Sequence, residues 1–121
     1  MKNINEIIPC VILAGGKGRR MGGKEKGLIN LLDRPLISYV LEKVSGKAAP
    51  IALNINTNFE KFKNFGYEIL EDPLKGHLGP LVGILASLNW AKSINQKWVL
   101  TLPCDTPFLP KKLIESLVKT K

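Results

Sequence analysis

A glycine-rich, basic loop after the first apolar stretch constrains the fold of this chain more than any other feature. Residues 7–13 form an unbroken apolar run, which predicts a buried strand. Residues 15–26 hold five glycines and five cations: Gly15, Gly16, Gly18, Gly22 and Gly23, with Lys17, Arg19, Arg20, Lys24 and Lys26. Glycines allow backbone N–H groups to converge on one point, and cations neutralise an anion held there. A strand that ends in such a loop predicts a polyphosphate site.

Two widespread phosphate-binding motifs are excluded by single residues of this loop. Residues 18–24 have the spacing of a Walker A motif, but Glu25 stands where Ser or Thr must hold magnesium. The dinucleotide motif G-x-G-x-x-G requires glycine at position 21, where the chain has Met21. A solvated basic surface loop is the remaining alternative, and the apolar strand that leads into the loop argues against it.

Length and composition predict one domain or a piece of one, residues 1–121, with a single core. No apolar run approaches the roughly 20 residues of a membrane span, and the first residues lack the layout of a signal peptide. We therefore expect a cytoplasmic protein that does not contact membranes. Cys10 and Cys104 are too few for a disulfide framework and lack metal-site spacing, so we expect both to be buried hydrophobic residues.

The net charge of +8 suggests nucleic acid as a possible partner. The lysines outside the loop are scattered, however, and no basic stripe is interleaved with aromatic residues. Part of the positive charge belongs to the predicted phosphate loop itself. Nucleic acid is therefore not expected as the main partner, and a nucleic-acid-binding domain stays a minor alternative.

Strand-like and helix-like segments alternate along the chain. Strands are predicted at 7–13, 49–56, 67–70 and 97–102, helices at 36–44, 59–65, 81–91 and 111–118, and a short turn or hairpin at 31–34. Strands that alternate with helices across short connections predict an α/β fold, a parallel sheet with helices on both faces. In such sheets, ligands bind beyond the carboxyl ends of the strands.

Polar groups lie at or just beyond the carboxyl end of each predicted strand: the glycine-rich loop, Asn54 and Asn56, Glu71 and Asp72, and Asp105. Their shared position predicts one site. Asp105 opposite a polyphosphate is suited to hold Mg²⁺, because hard cations prefer oxygen ligands; the alternative is an Asx-type turn before a proline. Asp72 has the same alternative. The two asparagines either terminate the strand or, with their period of two, read a base or ribose edge.

In order along the chain, these motifs resemble the molybdenum cofactor guanylyltransferases. The matching segments are Leu-Ala-Gly-Gly-x-x-x-Arg-Met-Gly-Gly-x-x-Lys-Gly-Leu at 13–28, Asn54, Glu71-Asp72, Gly-Pro-Leu-x-Gly at 79–83 and Pro-Cys-Asp-Thr-Pro at 103–107. The resemblance runs almost the length of the chain. It implies a Rossmann-like nucleotidyltransferase fold. The opening loop alone marks only the wider nucleotidyltransferase group.

The resemblance implies transfer of GMP from GTP to Mo-molybdopterin, which gives molybdopterin guanine dinucleotide and pyrophosphate. It implies Mg²⁺ as cofactor, and GTP, Mo-molybdopterin and other molybdenum cofactor proteins as partners. The implied catalytic residues are Arg20 and Lys26, which clamp phosphates, and Asp105, which binds the metal. The implied GTP-binding residues are Leu13, Ala14, Gly15, Gly16, Lys26, Asn54, Asp72 and Asp105, with Asn54 and Asp72 recognising the guanosine.

Two departures from the family qualify this expectation. Glu25 stands before the loop lysine, where the family often has Asp. Members of the family are usually more than half as long again as this chain. We therefore expect this chain to be the N-terminal, GTP-binding part, with the acceptor half largely absent. We also expect the strand at 97–102 to lie at an uncovered edge of the sheet. Alternatives are a GTP-binding remnant without transferase activity, a cytidylyltransferase of the same cofactor, and a sugar-phosphate nucleotidyltransferase of the same fold.

Overall fold

A computed structural model of the chain describes residues 7–14, 20–21, 24–56, 59–73, 81–106, 108 and 110–119. In chain order the elements are β1 (Cys10–Leu13), β2 (Arg20–Met21), β3 (Lys24–Glu25), a 3-10 turn (Lys26–Leu28), β4 (Asn30–Leu31), β5 (Arg34–Pro35), α1 (Leu36–Val44), β6 (Ile51–Asn54), α2 (Phe59–Lys63), β7 (Glu68–Leu70), α3 (Leu81–Ser93), β8 (Leu100–Pro103) and α4 (Lys111–Lys119). None of the helices in this part of the chain has both the length and the apolar composition needed to cross a bilayer.

The main sheet has the strand order β7-β6-β1-β8, and every neighbouring pair is parallel. Successive strands move outward from β1 through β6 to β7, and β8 then returns to the opposite side of β1. Leu13 is level with both Asn54 of β6 and Pro103 of β8, and Asn54 is level with Leu70 of β7. The four strands therefore end together, at one edge of the sheet.

Helices cover both faces of this sheet, as the sequence predicts. Side chains alternate along β1, so that Cys10 and Ile12 face one side and Val11 faces the other. The helix residues packed on the first side are Ile37, Val40, Leu41 and Val44 of α1, Phe62 of α2 and Ile114 of α4. On the second side, Trp90 of α3 packs against Val11. Burial on both faces explains why β1 reads as a continuous apolar run.

The last strand is shorter than predicted, because residues 97–99 lie outside it. The backbone N–H of Leu100 donates to the carbonyl of Pro9 at 2.8 Å, which begins the ladder between β8 and β1. Proline has no N–H with which to extend that ladder further. Trp98, in the segment left outside the strand, is 53% exposed.

Strand β8 has a neighbour on one side only among the strands that the structure describes. This agrees with the edge position expected for the segment at 97–102. An edge strand presents unpaired backbone groups, so it is a surface on which another strand can pair.

The predicted hairpin at 31–34 is present, and its turn contains a strained leucine. Leu31 pairs with Arg34, and the two turn residues, Leu32 and Asp33, have φ angles of 53° and 69°. Turns with positive φ at both central positions match the twist of a two-stranded hairpin but favour Asn and Gly. Leu32 is also 82% exposed, so its side chain contributes little packing.

We expect Leu32→Asn to raise the free energy of unfolding by about 0.5–1 kcal/mol, because leucine in the left-handed region costs roughly 1–2 kcal/mol. Urea denaturation measures this change. The matched control is Leu88→Asn in α3, where a leucine of 54% exposure has helical geometry and no such strain to relieve. Equal effects of the two substitutions would contradict the assignment of strain to the turn.

Both cysteines are fully buried and neither is in a disulfide, as the sequence predicts. Burial raises the pKa of the Cys10 thiol to about 12. At pH 8 only about one Cys10 in 10⁴ is then a thiolate, the form that reacts. We expect a disulfide reagent to label neither cysteine in the folded protein and both after denaturation. Rapid labelling at pH 8 without unfolding would show that the core around these thiols is open.

Candidate functional site

In the strand order, the direction of chain progression reverses between β1 and β8, and we call the region beyond the carboxyl ends of these two strands the crevice. Doubly wound sheets bind ligands at this point, outside the carboxyl ends of the strands. Because Leu13 and Pro103 are level, the chain leaves β1 at Ala14 and leaves β8 at Cys104 side by side. The Ala14 N–H donates to the Asn54 carbonyl at 3.0 Å, which holds the start of the glycine-rich loop against β6.

The end of the glycine-rich loop returns to the same crevice. Gly27 is buried, and a Cβ added there would lie 3.3 Å from Cys104 Sγ and 3.5 Å from Ile37 Cβ. The backbone next to Lys26 is therefore packed against the residue that precedes Asp105. Gly15 and Gly16 lie outside the described residues, as do the side chains of Arg20 and Lys26, so their proposed roles stay predictions.

Asp105 lies in the turn that follows β8 and is partly buried. Beside it, Thr106 Oγ1 is buried and has no hydrogen-bond partner in the described part of the chain. A carboxylate and an unsatisfied hydroxyl at a sheet edge suit a hard cation or a phosphate oxygen. The described residues contain no cluster of three His, Cys, Asp or Glu side chains.

A second polar group lies at the ends of β6 and β7, and it joins two predicted site residues directly. Asn54, which is 2% exposed, donates from Nδ2 to Asp72 Oδ1 at 2.9 Å and to the Leu70 carbonyl at 3.2 Å. Asn56 donates from Nδ2 to Asp72 Oδ2 at 2.8 Å, and its Oδ1 accepts from the Asp72 N–H at 2.8 Å. We name Asn54, Asn56 and Asp72 the amide–carboxylate cluster.

The first turn of α3 closes over this cluster. A Cβ added at Gly83 would lie 2.7 Å from Asn54 Oδ1 and 3.4 Å from Leu13 Cδ2. Real Cβ atoms do not approach an oxygen so closely, so any side chain at position 83 must displace its neighbour. This contact explains why a glycine occurs inside an otherwise apolar helix, where it is disfavoured.

The predicted residues thus form two groups along one edge. Leu13, Ala14 and Asp105 lie at the crevice, and Asn54 and Asp72 lie in the amide–carboxylate cluster. Asp72 follows β7 and Asp105 follows β8, and three strand spacings of about 4.8 Å separate these strands. The two carboxylates are therefore placed to contact different parts of an extended ligand.

One neighbouring feature differs from what the sequence alone suggested: Glu71, a candidate beside Asp72, is exposed and stands outside the cluster. Asn56, which its spacing of two made a candidate together with Asn54, is in the cluster although the resemblance gives it no role. An open groove of about 400 Å³ adjoins the cluster on the α3 side, and it is lined by Ile69, Leu70, Glu71, Pro73, Ala86, Asn89, Trp90 and Ser93.

Comparison with known proteins agrees with this architecture. The family described as the MobA-like NTP transferase domain matches residues 10–120. The chain belongs to this family. A molybdenum cofactor guanylyltransferase of Shewanella putrefaciens is 40% identical over 111 residues, which cover 92% of this chain and 55% of that protein. The chain therefore spans about half the length of the curated relatives it matches.

Solved structures agree with the fold as well. Molybdopterin-guanine dinucleotide biosynthesis protein A from Archaeoglobus fulgidus aligns with a TM-score of 0.64 and 28% identity, covering 93% of this chain and 54% of that chain. A CMP:2-keto-3-deoxy-manno-octonic acid synthetase in complex with CTP aligns with a TM-score of 0.66 and 16% identity, covering 94% of this chain and 46% of that one. The second likeness concerns the fold alone. The expectation of a nucleotidyltransferase fold is confirmed.

Proposed function

We propose that this chain forms the GTP-binding part of a molybdenum cofactor guanylyltransferase, which transfers GMP from GTP to Mo-molybdopterin and releases pyrophosphate. The observation that carries the proposal is the common level at which β1, β6, β7 and β8 end, since it puts the motif residues of four separate segments along one edge. In support, relatives at about 40% identity are named molybdenum cofactor guanylyltransferase. We expect a cytoplasmic protein that meets other molybdenum cofactor proteins.

The crevice is the proposed phosphate end of the site. We assign Leu13, Ala14, Gly15 and Gly16 to the nucleotide, and Arg20 and Lys26 to its phosphates. Asp105 would hold Mg²⁺, which fits the partly buried carboxylate beside the unsatisfied Thr106 hydroxyl. When bound, the ion offsets the negative charge of the triphosphate.

The proposed reaction is an in-line displacement at the α-phosphorus of GTP. An oxygen of the terminal phosphate of the acceptor forms a new bond to that phosphorus, the bond to the bridging oxygen breaks, and pyrophosphate leaves with the bonding electrons. The protein makes no covalent bond, so its residues act by position and charge. Arg20 and Lys26 neutralise charge on the phosphates and on the leaving pyrophosphate.

The amide–carboxylate cluster is the proposed base end. It lies at the opposite side of the sheet edge from Asp105, where the guanosine of an extended GTP would reach. A carboxylate held by two amides is an acceptor for N–H groups of a base. Asn54 and Asp72 are therefore assigned to guanosine.

Competition binding tests the nucleotide proposal. The purified chain is titrated with GTP in magnesium chloride, and CTP or UTP is then added as competitor. We expect GTP to bind and to be displaced weakly by both pyrimidine nucleotides. Tighter binding of CTP or UTP than of GTP would favour a cytidylyltransferase or a sugar-phosphate nucleotidyltransferase over a guanylyltransferase. If none of the three nucleotides binds, the proposed site is refuted.

A binding-only role is the second candidate, because the chain covers 55% of the Shewanella relative. Release of pyrophosphate from GTP, with Mo-molybdopterin as acceptor, separates the two candidates. Turnover by this chain supports the transferase, whereas GTP binding without turnover supports the binding-only role.

A further inference from the structure

We infer that Asn56 is a positioning residue for base selection, which acts by fixing the Asp72 carboxylate rather than by touching the nucleotide. The inference rests on the proposed function of the site. It is carried by the hydrogen bonds of the amide–carboxylate cluster.

Asn56 and Asp72 form a reciprocal pair. The Asn56 amide donates to one carboxylate oxygen of Asp72 and accepts from the Asp72 backbone N–H, each at 2.8 Å. One asparagine therefore holds both the main chain and the side chain of Asp72. The other carboxylate oxygen accepts from Asn54 at 2.9 Å, so each oxygen has its own amide donor. Two donors on two oxygens fix the plane of the carboxylate.

The pattern of donors shows which groups remain for a ligand. Both Nδ2 protons of Asn54 are directed to acceptors, Asp72 Oδ1 and the Leu70 carbonyl. An ionised carboxylate offers about four lone-pair sites, and the two amides occupy two of them. The atoms of Asp72 that remain for a ligand are thus acceptors, which recognise N–H or O–H donors, whereas Asn54 is 2% exposed and its Oδ1 lies beneath Gly83.

Among the common nucleobases, guanine alone carries two adjacent donors, N1–H and N2–H, on its pairing edge. A planar carboxylate at a fixed angle can accept both at once. Cytosine, uracil and adenine place an acceptor next to the donor, so they would leave one carboxylate oxygen facing another acceptor. The orientation that Asn56 imposes on Asp72 therefore favours GTP over CTP.

The test compares Asn56→Ala, Asn56→Asp and Asn64→Ala in the full chain, with dissociation constants measured for GTP and CTP. Asn56→Asp preserves the shape of the side chain while replacing the donor to Asp72 with an acceptor. Asn64 is exposed, follows α2 and serves as the control. We expect Asn56→Ala to weaken GTP about tenfold and CTP less than twofold. We expect Asn56→Asp to weaken GTP at least as much, and Asn64→Ala to change neither.

A double-mutant cycle with Asp72→Ala shows whether Asn56 acts through Asp72. We expect Asn56→Ala to have less than a twofold effect on GTP once the carboxylate is absent. If the two substitutions weaken GTP binding independently, so that their fold-changes multiply, the inference is overturned. Equal weakening of GTP and CTP, which loss of a ribose contact would give, also overturns it. The proposed function stands in both cases. Absence of GTP binding by the unmodified chain refutes the proposed function, and the inference with it.

Discussion

Asp105→Asn is expected to abolish most of the magnesium dependence of GTP binding. The substitution keeps the size of the side chain but removes the charge that attracts a divalent cation. Without that charge, we expect GTP affinity in magnesium to fall on the order of 10²-fold, because a charged contact in a partly buried site is worth about 2–3 kcal/mol. Any transferase activity should fall further, on the order of 10³-fold.

Calorimetric titration with GTP measures this effect, first in magnesium chloride and then in EDTA. The unmodified chain should bind much more tightly with the metal, whereas Asp105→Asn should give nearly equal affinities in both. Asp33→Asn is the matched control, since Asp33 is exposed in the β4–β5 turn at a φ of 69° that asparagine adopts readily. A full magnesium response in Asp105→Asn would remove Asp105 from the metal site.

Gly83→Ala is expected to lower both the stability of the fold and its affinity for GTP. Glycine to alanine inside a helix normally stabilises a protein by up to about 1 kcal/mol. Here the new methyl group would lie 2.7 Å from Asn54 Oδ1. Overpacking of this kind costs about 1–3 kcal/mol, so we expect a net loss of free energy of unfolding. Because Asn54 donates to Asp72, its displacement should also weaken GTP binding about tenfold.

A second pair of variants, measured by chemical denaturation and GTP titration, tests whether the contact between Gly83 and Asn54 causes these losses. In an Asn54→Ala background the oxygen that blocks the methyl group is absent, so Gly83→Ala should stabilise the chain as it does in an ordinary helix. Stabilisation by Gly83→Ala in the unmodified background would show that α3 does not press on the cluster.

Local signals in the sequence were sufficient for most of the fold. The helix at 36–44 has apolar residues at helical spacing and ends before Gly46, whose φ of +80° suits glycine. The apolar run before the loop correctly indicated a buried strand, and the structure shows that this strand is central in the sheet. The beginning of β8 was harder to predict, because Pro9, which limits the ladder, is about 90 residues away in the chain.

The candidate site was predictable in outline and not in detail. Strand ends could be grouped from topology, which brought Asn54 near Asp72 and Asp105 near the glycine-rich loop. The reciprocal pairing of Asn56 with Asp72, 16 residues apart, depends on the register of β6 and β7 and on side-chain rotamers. The contact of Gly83 with Asn54 depends on how closely α3 approaches the sheet. Neither contact produces a sequence pattern that can be recognised within one segment of the chain.

The central claim is that the loop after β1 and Asp105 together bind the magnesium–triphosphate group at the crevice. NMR with Mn²⁺ in place of Mg²⁺ tests it most directly, because the paramagnetic ion broadens signals near its binding site. In the presence of GTP, we predict that the amides of Ala14 and Asp105 broaden first, well before that of Trp90 in the groove. Strongest broadening around Trp90, with Ala14 and Asp105 unaffected, would contradict the claim.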